Sequence, residues 1–201
     1  MGSHFFAMMA RMKYIERWAL MKNSEVENIS EHSMEVAMLA HALAVIGNVR
    51  LGKKLNPEKA AMLGLYHDCT EIITGDMPTP IKYYSDDIET AFKEIEDKAA
   101  EKLLDMLPED MRSYYEDYFF KVKEDDYLWQ LKKAADKLSA LMKCIKEEKS
   151  GNSEFFSAKK TIEQAVHDMH LEEVEIFCEE FLPSYYLTLD EMRKGTKISG
   201  E

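Results

Sequence analysis

Apolar residues in this chain recur at intervals of three and four, and no stretch alternates apolar and polar residues in a convincing run of period two. That spacing belongs to helices burying one stripe each, so it commits the chain to helix-on-helix packing. Val36, Leu39, Ala40, Leu43 and Ile46 form one such stripe, opened by Ser30 as N-cap with Glu31 in the first turn and closed by Gly47. Asn56-Pro57-Glu58 opens a second helix, a cap followed by a first-turn proline and an acid, running through Met62, Leu65 and Ile72 to Gly75. Pro78 and Pro80 then impose a loop. Ile88, Phe92, Ile95, Ala99, Leu103 and Met106 mark a third helix, stopped before Pro108. The aromatic stretch from Tyr114 to Phe120 reads as helical, and Leu128, Leu131, Ala135, Leu138 and Met142 make a helix that ends before Ser150 and Gly151. Two more are expected over 155–169 and 171–182. With only 8 glycines and 5 prolines to build turns, the expected fold is an all-α bundle.

At 201 residues the chain has the length of one domain, and no repeat or linker divides it. Residues 11–190 are expected to form that domain. The MetGlySerHis start reads as the remnant of an expression tag, so residues 1–10 are expected to fray and His4 is set aside as a ligand; a frayed tail is expected over 191–201. Lys and Arg number 26 against 38 Asp and Glu, a net charge of −12. Such a chain lacks the basic footprint of a nucleic-acid binder, and an anionic substrate must be held by a metal or a placed cation. No run approaches the roughly 18 apolar residues of a membrane span. Three scattered cysteines, 69, 144 and 178, form no paired spacing and suggest a reducing cytoplasm.

The densest chemistry is His67-Asp68-Cys69-Thr70-Glu71. At about 100° per residue, Glu71 falls about 40° from His67, so one helical flank presents an imidazole and two carboxylates. Gly64, one turn earlier, leaves room for close approach to the backbone. His32 lies on the buried stripe with Val36, Leu39 and Leu43, where the positive helix N-terminus disfavours an imidazolium and suits a neutral metal ligand. A core histidine bonded to backbone fits the same pattern equally well. His41 faces the other way, and His167 and His170 read as structural or surface residues. Asp136 stands among small residues but off the Leu128/Leu131/Leu138 stripe, so periodicity alone permits a solvated carboxylate there.

Taken together, Arg17-Trp18, Glu31-His32-Ser33, His67-Asp68-Cys69-Thr70-Glu71, Gly75-Asp76-Met77-Pro78-Thr79-Pro80-Ile81-Lys82 and Ala134-Ala135-Asp136-Lys137-Leu138 resemble the HD-domain 5′-deoxynucleotidases, the YfbR-like group within the HD superfamily of metal-dependent phosphohydrolases. A lone His-Asp pair is common, whereas five motifs in order are specific; the resemblance spans about residues 11 to 190. It implies a single-domain HD-type bundle that hydrolyses deoxyribonucleoside 5′-monophosphates to deoxyribonucleoside and phosphate. By the same resemblance His32, His67, Asp68 and Asp136 hold one divalent transition metal, with Co²⁺ or Mn²⁺ suiting two nitrogens and two carboxylates better than Mg²⁺. Arg17 clamps the phosphate, Glu71 acts as general acid or base, and Asp68 counts with them as catalytic. Trp18 and Asp76 sit at the sugar, with His32 also against substrate. Lys82 adds positive charge.

Each of these has a plainer reading: Arg17 as a surface charge, Trp18 as a core aromatic, Asp76 as a turn residue after Gly75. The resemblance also implies a homodimer. Two rival functions remain at this stage. One is hydrolysis of another nucleotide phosphoryl bond, although the sequence shows no obvious cluster of extra Lys and Arg for a triphosphate tail. The other is nucleotide binding without turnover.

Overall fold

The computed structural model describes residues 2–82 and 84–195. In chain order its α-helices are α1 Phe5–Met9, α2 Ile29–Leu51, α3 Pro57–Tyr66, α4 Glu71–Thr74, α5 Thr79–Lys82, α6 Asp86–Leu104, α7 Glu109–Arg112, α8 Glu116–Phe119, α9 Asp126–Lys149, α10 Phe156–His167, α11 Glu172–Glu180 and α12 Leu189–Gly195. Among the described residues there is no strand, and the one isolated bridge pairs Glu16 with Asn28. The expected all-α architecture is what the chain adopts.

The long helices begin where side chains satisfy the first free amides. Asn28, two residues before the expected Ser30, caps α2: its side chain accepts from the amides of Ser30 and Glu31. Asn56 caps α3 through the amide of Lys59, with Pro57 in the first turn, and Ser85 caps α6. Gly47, expected to end α2, lies inside it. A Cβ there would meet Glu173 Oε1 and Leu55 Cδ1 at 2.8 Å, so this glycine serves packing rather than termination. The second helix also departs from expectation, because it does not run on to Gly75. After Tyr66 the backbone tightens into bonds reaching three residues back (Cys69 to Tyr66 at 3.2 Å, Glu71 to Asp68 at 3.0 Å), and α4 follows as a separate turn.

The main core forms where α2, α3, α9 and α11 meet, around Val36, Leu39, Leu43, Leu63, Leu131, Leu138, Met142 and Val174. A second cluster gathers Phe5, Met12, Ile29, Cys69, Leu103, Leu104 and Leu107. Phe5 is fully buried and packs edge-on against Tyr115 at 5.3 Å, so the chain is anchored from residue 5 and the expected fraying through residue 10 does not occur. At the other end α12 carries helix past residue 190; of the tail expected over 191–201, residues 196–201 lie outside those described. The Tyr114–Phe120 stretch holds the end of the turn after α7 and the four-residue α8 rather than one helix, and Tyr118 stacks on Tyr66 at 5.6 Å.

By length and composition α2 is apolar enough to cross a membrane, with a hydropathy of 1.4 over its most apolar window. In the fold it is the central helix, with α3 and α9 packed along it. Its uncovered face still shows Met34, Met38 and Val49.

Candidate active site

Three elements carry the polar cluster at the centre of the bundle. His32 comes from the first turn of α2, His67 and Asp68 from the tight turn after α3, and Asp136 from the middle of α9. One donor atom each from His32, His67 and Asp68 can be chosen so that all lie within 4.8 Å of one another. His32 Nε2 is 3.5 Å from Asp68 Oδ2 and 3.1 Å from Asp136 Oδ1. His67 Nε2 is 3.0 Å from Asp68 Oδ2 and 4.0 Å from Asp136 Oδ1. Four residues spread over more than a hundred positions thus face one point. Asp136, which periodicity left open, points inward.

The hydrogen-bond pattern constrains where the imidazole protons sit. His67 Nδ1 lies 2.7 Å from the Gly64 carbonyl, which can only accept, so Nδ1 carries the proton. In the neutral ring Nε2 is then a lone pair, buried and 3.0 Å from an Asp68 carboxylate oxygen. Two lone pairs at that separation repel unless a cation lies between them; without a metal a proton on Nε2 does this, and a divalent metal would take that proton's place. His32 Nδ1 has two neighbours that ask opposite things of it. Nδ1 is 3.1 Å from Ser139 Oγ, whose hydroxyl donates to Glu35 Oε2 at 2.5 Å, so Ser139 is free to accept from the ring. Arg17 Nη1 also approaches Nδ1, at 2.8 Å. A guanidinium can only donate, so the Arg17 contact leaves Nε2 to donate to Asp136 Oδ1 at 3.1 Å, whereas His32 as a neutral Nε2 ligand requires the Nδ1 proton to point at Ser139.

The carboxylates respond to this setting. With no metal bound, burial pushes Asp68 up, but a protonated His67 bonded to it, with the His32 charge, outweighs this and holds the group well below the usual carboxylate range. Asp136 is lowered likewise: burial opposes, and the His32 hydrogen bond and charge prevail. Glu71 goes the other way. Burial first, then the negative charges of Asp68 and Asp76, push it up to about 10 against the pull of Arg17 and Lys82. Its Oε2 is buried and without a hydrogen-bond partner. Two carboxylates three residues apart are therefore driven to opposite protonation states.

A cavity of about 550 Å³ is walled by Arg17, Trp18, Asp76, Met77, Pro80 and Ile162 among others. Arg17 is held by Glu27, and its side chain lies 5.8 Å over the Trp18 ring. Burial disfavours its charge, but Glu27, Asp136 and Asp68 outweigh that and raise its pKa. Trp18 has φ 61, a left-handed backbone that a bulky residue rarely adopts. Its indole packs on Phe155 at 5.3 Å, and Nε1 is buried without a partner. A second cavity, of about 440 Å³, has His67, Asp68 and Asp136 in its wall and shares no lining residue with the first. Lys82, Lys93, Lys121, Lys132 and Lys133 also line it. The sequence shows no such cluster because these residues come from α5, α6, α9 and the segment before it. Lys82 is paired with Glu96 at 3.0 Å.

Several supporting residues escaped the sequence reading. Ser139 and Glu35 sit three residues beyond Asp136 and His32, a helical spacing that marked them as neighbours. The strap over 18–28 is held by a buried network on α9. Glu147 accepts from the Ser24 amide at 2.9 Å and from Asn152 at 2.8 Å, and Lys143 bonds both Glu147 and the Glu25 carbonyl. In sequence Lys143 and Glu147 look like an ordinary surface i, i+4 pair. His41 and His167 stay away from the cluster, and His167 pairs with Glu175.

A family model described as 5′-deoxynucleotidase YfbR-like matches residues 4–185. A 5′-deoxynucleotidase of Vibrio cholerae is 47% identical over 190 residues, covering 94% of this chain and 98% of the relative. Among solved structures, an HD-domain phosphohydrolase from Listeria innocua superposes with a TM-score of 0.80 at 19% identity, over 94% of this chain and 92% of that one. The cyanophage S-2L HD phosphohydrolase DatZ, bound to dA and one catalytic Zn²⁺ ion, gives 0.60 at 19% identity over 94% and 96%. At these identities the two structures speak to the fold.

Proposed function

The chain belongs to the YfbR-like 5′-deoxynucleotidase family, and on that premise we propose that the cluster of His32, His67, Asp68 and Asp136 is where it removes phosphate from deoxyribonucleoside 5′-monophosphates. It is a hydrolase of phosphoric monoesters. The observation that carries the site is the convergence of His32, His67 and Asp68, with donor atoms within 4.8 Å of one another, and of Asp136, 3.1 Å from His32 Nε2, a set of two nitrogens and two carboxylates. Such a set suits one divalent transition metal, Co²⁺ or Mn²⁺ before Mg²⁺. When bound, the ion supplies Lewis acidity to the phosphoryl oxygens and acidity to a nearby water.

The remaining chemistry belongs to the chain. Arg17, anchored by Glu27 in the wall of the 550 Å³ cavity, offers its planar fork to the phosphate. Glu71 keeps a proton on its carboxyl at neutral pH and delivers it to O5′ as the ester bond breaks. Trp18 and Asp76 take the sugar in the same cavity. An indole against C2′ would bury a ribose 2′-hydroxyl without a partner, at a cost of about 1–3 kcal/mol, which favours the deoxy sugar. Three thiols without disulfides support a cytoplasmic enzyme. The exposed apolar face of α2 supports a homodimer.

The test is phosphate release from a panel of deoxy- and ribonucleoside 5′-monophosphates by chelator-stripped protein restored with Co²⁺, Mn²⁺, Mg²⁺ or Zn²⁺. Metal-dependent release from the deoxy series is expected. Silence from every monophosphate would overturn the reading.

A further inference from the structure

The 440 Å³ cavity stands beside the metal-site carboxylates and apart from the cavity assigned to the nucleoside. Of its lysines, Lys82 is tied to Glu96 and Lys121 to Asp126. No ion pair joins Lys93, Lys132 or Lys133 to a carboxylate among the described residues. Lys132 is the half-buried one of these three. It lies one turn before Asp136 on the same face of α9, within electrostatic reach of Asp136 and Asp68. Its Nζ rests 4.8 Å over the Trp129 ring. An ammonium kept half-buried with only an aromatic face beside it has donors to spare, and they face a polar cavity. Asp97 and Glu96 also line this cavity; Glu96 is engaged by Lys82. Once a divalent cation balances Asp68 and Asp136, the unpaired lysines make this side of the site locally positive in a chain of net charge −12.

We infer that the lysine-lined cavity is a binding site for inorganic phosphate, with Lys132 as its principal ligand, and that the phosphate product is held there after cleavage. This rests on the proposed hydrolysis. In that reaction water adds its oxygen to phosphorus, the P–O5′ bond breaks, and O5′ takes a proton. Until then the phosphate is tethered to a sugar in the Trp18 cavity. Once free, as a dianion, it can move to the side where a compact, flexible point charge is offered.

The experiment measures deoxynucleoside formation by chromatography at increasing inorganic phosphate, for the metal-loaded wild type, Lys132→Gln and Lys132→Arg. The inhibition constant for phosphate is expected to rise about tenfold in K132Q, the loss of one charge-assisted contact. KM for the monophosphate is expected to change less than about twofold, and K132R to restore most of the inhibition. Phosphorus NMR titration of the metal-loaded protein reads the same binding without turnover. Inhibition unchanged in a folded K132Q would overturn the inference. So would an equal rise in KM, which would place Lys132 on the substrate's own phosphate. Preferred hydrolysis of a deoxynucleoside triphosphate would also overturn it, since the lysines would then serve a polyphosphate tail. Absence of turnover with every monophosphate defeats the functional reading alone, because phosphate binding to the loaded protein is still read by NMR.

Discussion

His67 keeps a proton on Nδ1 because the Gly64 carbonyl can only accept, and this leaves Nε2, turned toward Asp68, as the nitrogen that can exchange a proton for a metal. Asp68→Ala removes a negative oxygen that two imidazoles share, so the protein is expected to lose bound divalent metal, by elemental analysis, and to lose turnover. Helical circular dichroism should persist, since no core side chain changes; full activity would refute the site. Glu71 makes the complementary case. Glu71→Gln keeps the shape but has no proton to give, so kcat is expected to fall by roughly 10²-fold or more with nucleotide binding retained. The sign of its pH dependence follows from the upward shift: the active, protonated form is lost as pH rises toward about 10. E71Q should therefore lack the alkaline limb of the kcat profile, and an effect on KM alone would refute the proton-donor role. These residues were legible because His, Asp and Glu in one pentad are chemically conspicuous. Lys132 was not, since its i, i+4 spacing from Asp136 looks like an ordinary helical pair until the fold gathers lysines of other elements around the same cavity.

Helices bring the ligands together only if they approach closely, and Gly64 shows how closely. A Cβ at this position would lie 2.8 Å from Ala37 Cα and N and 3.0 Å from Val36 carbonyl carbon, all backbone atoms of α2. What Gly64 admits is therefore the helix that carries His32, against the helix whose end carries His67. Gly64→Ala must push the two apart, at a cost of about 1–3 kcal/mol, or about 2–4 °C of melting temperature per kcal/mol for a chain of this size. Metal affinity should fall with it; a variant with unchanged melting and metal binding would show the contact to be slack. Stripes and the Asn56-Pro57 start were readable because burial and capping leave local marks. The break after Tyr66 was not readable. Over four residues the same side-chain pattern serves bonds reaching back three or four positions, and tertiary contacts choose between them. Gly47 was misread for a related reason, because a glycine that ends a helix and one that lets Glu173 and Leu55 approach look alike in sequence.

At the scale of the whole molecule, the helix that holds His32 has two apolar sides and only one is spent on the core. Met34, Met38 and Val49 are exposed by 57%, 59% and 72%, and with the partly covered Val45 they form one stripe along α2. Phe181 on the neighbouring segment, 44% exposed, lines a shallow groove with Met38, Ala42 and Tyr185. A patch of this kind is costly in water and suited to its own copy across a two-fold axis. Two chains of net charge −12 repel at long range, so apolar contact must carry the association and salt should strengthen it by screening. Sedimentation velocity is expected to show a dimer whose affinity rises from low to moderate ionic strength. Met38→Glu, which sets like charges against each other at the centre of the stripe, should yield a monomer. Because His67, Asp68, Asp136 and both cavities come from one chain, that monomer should keep its metal and its turnover. A wild type that sediments as a monomer would refute the dimer, and a monomeric variant without activity would show that the partner contributes to the site.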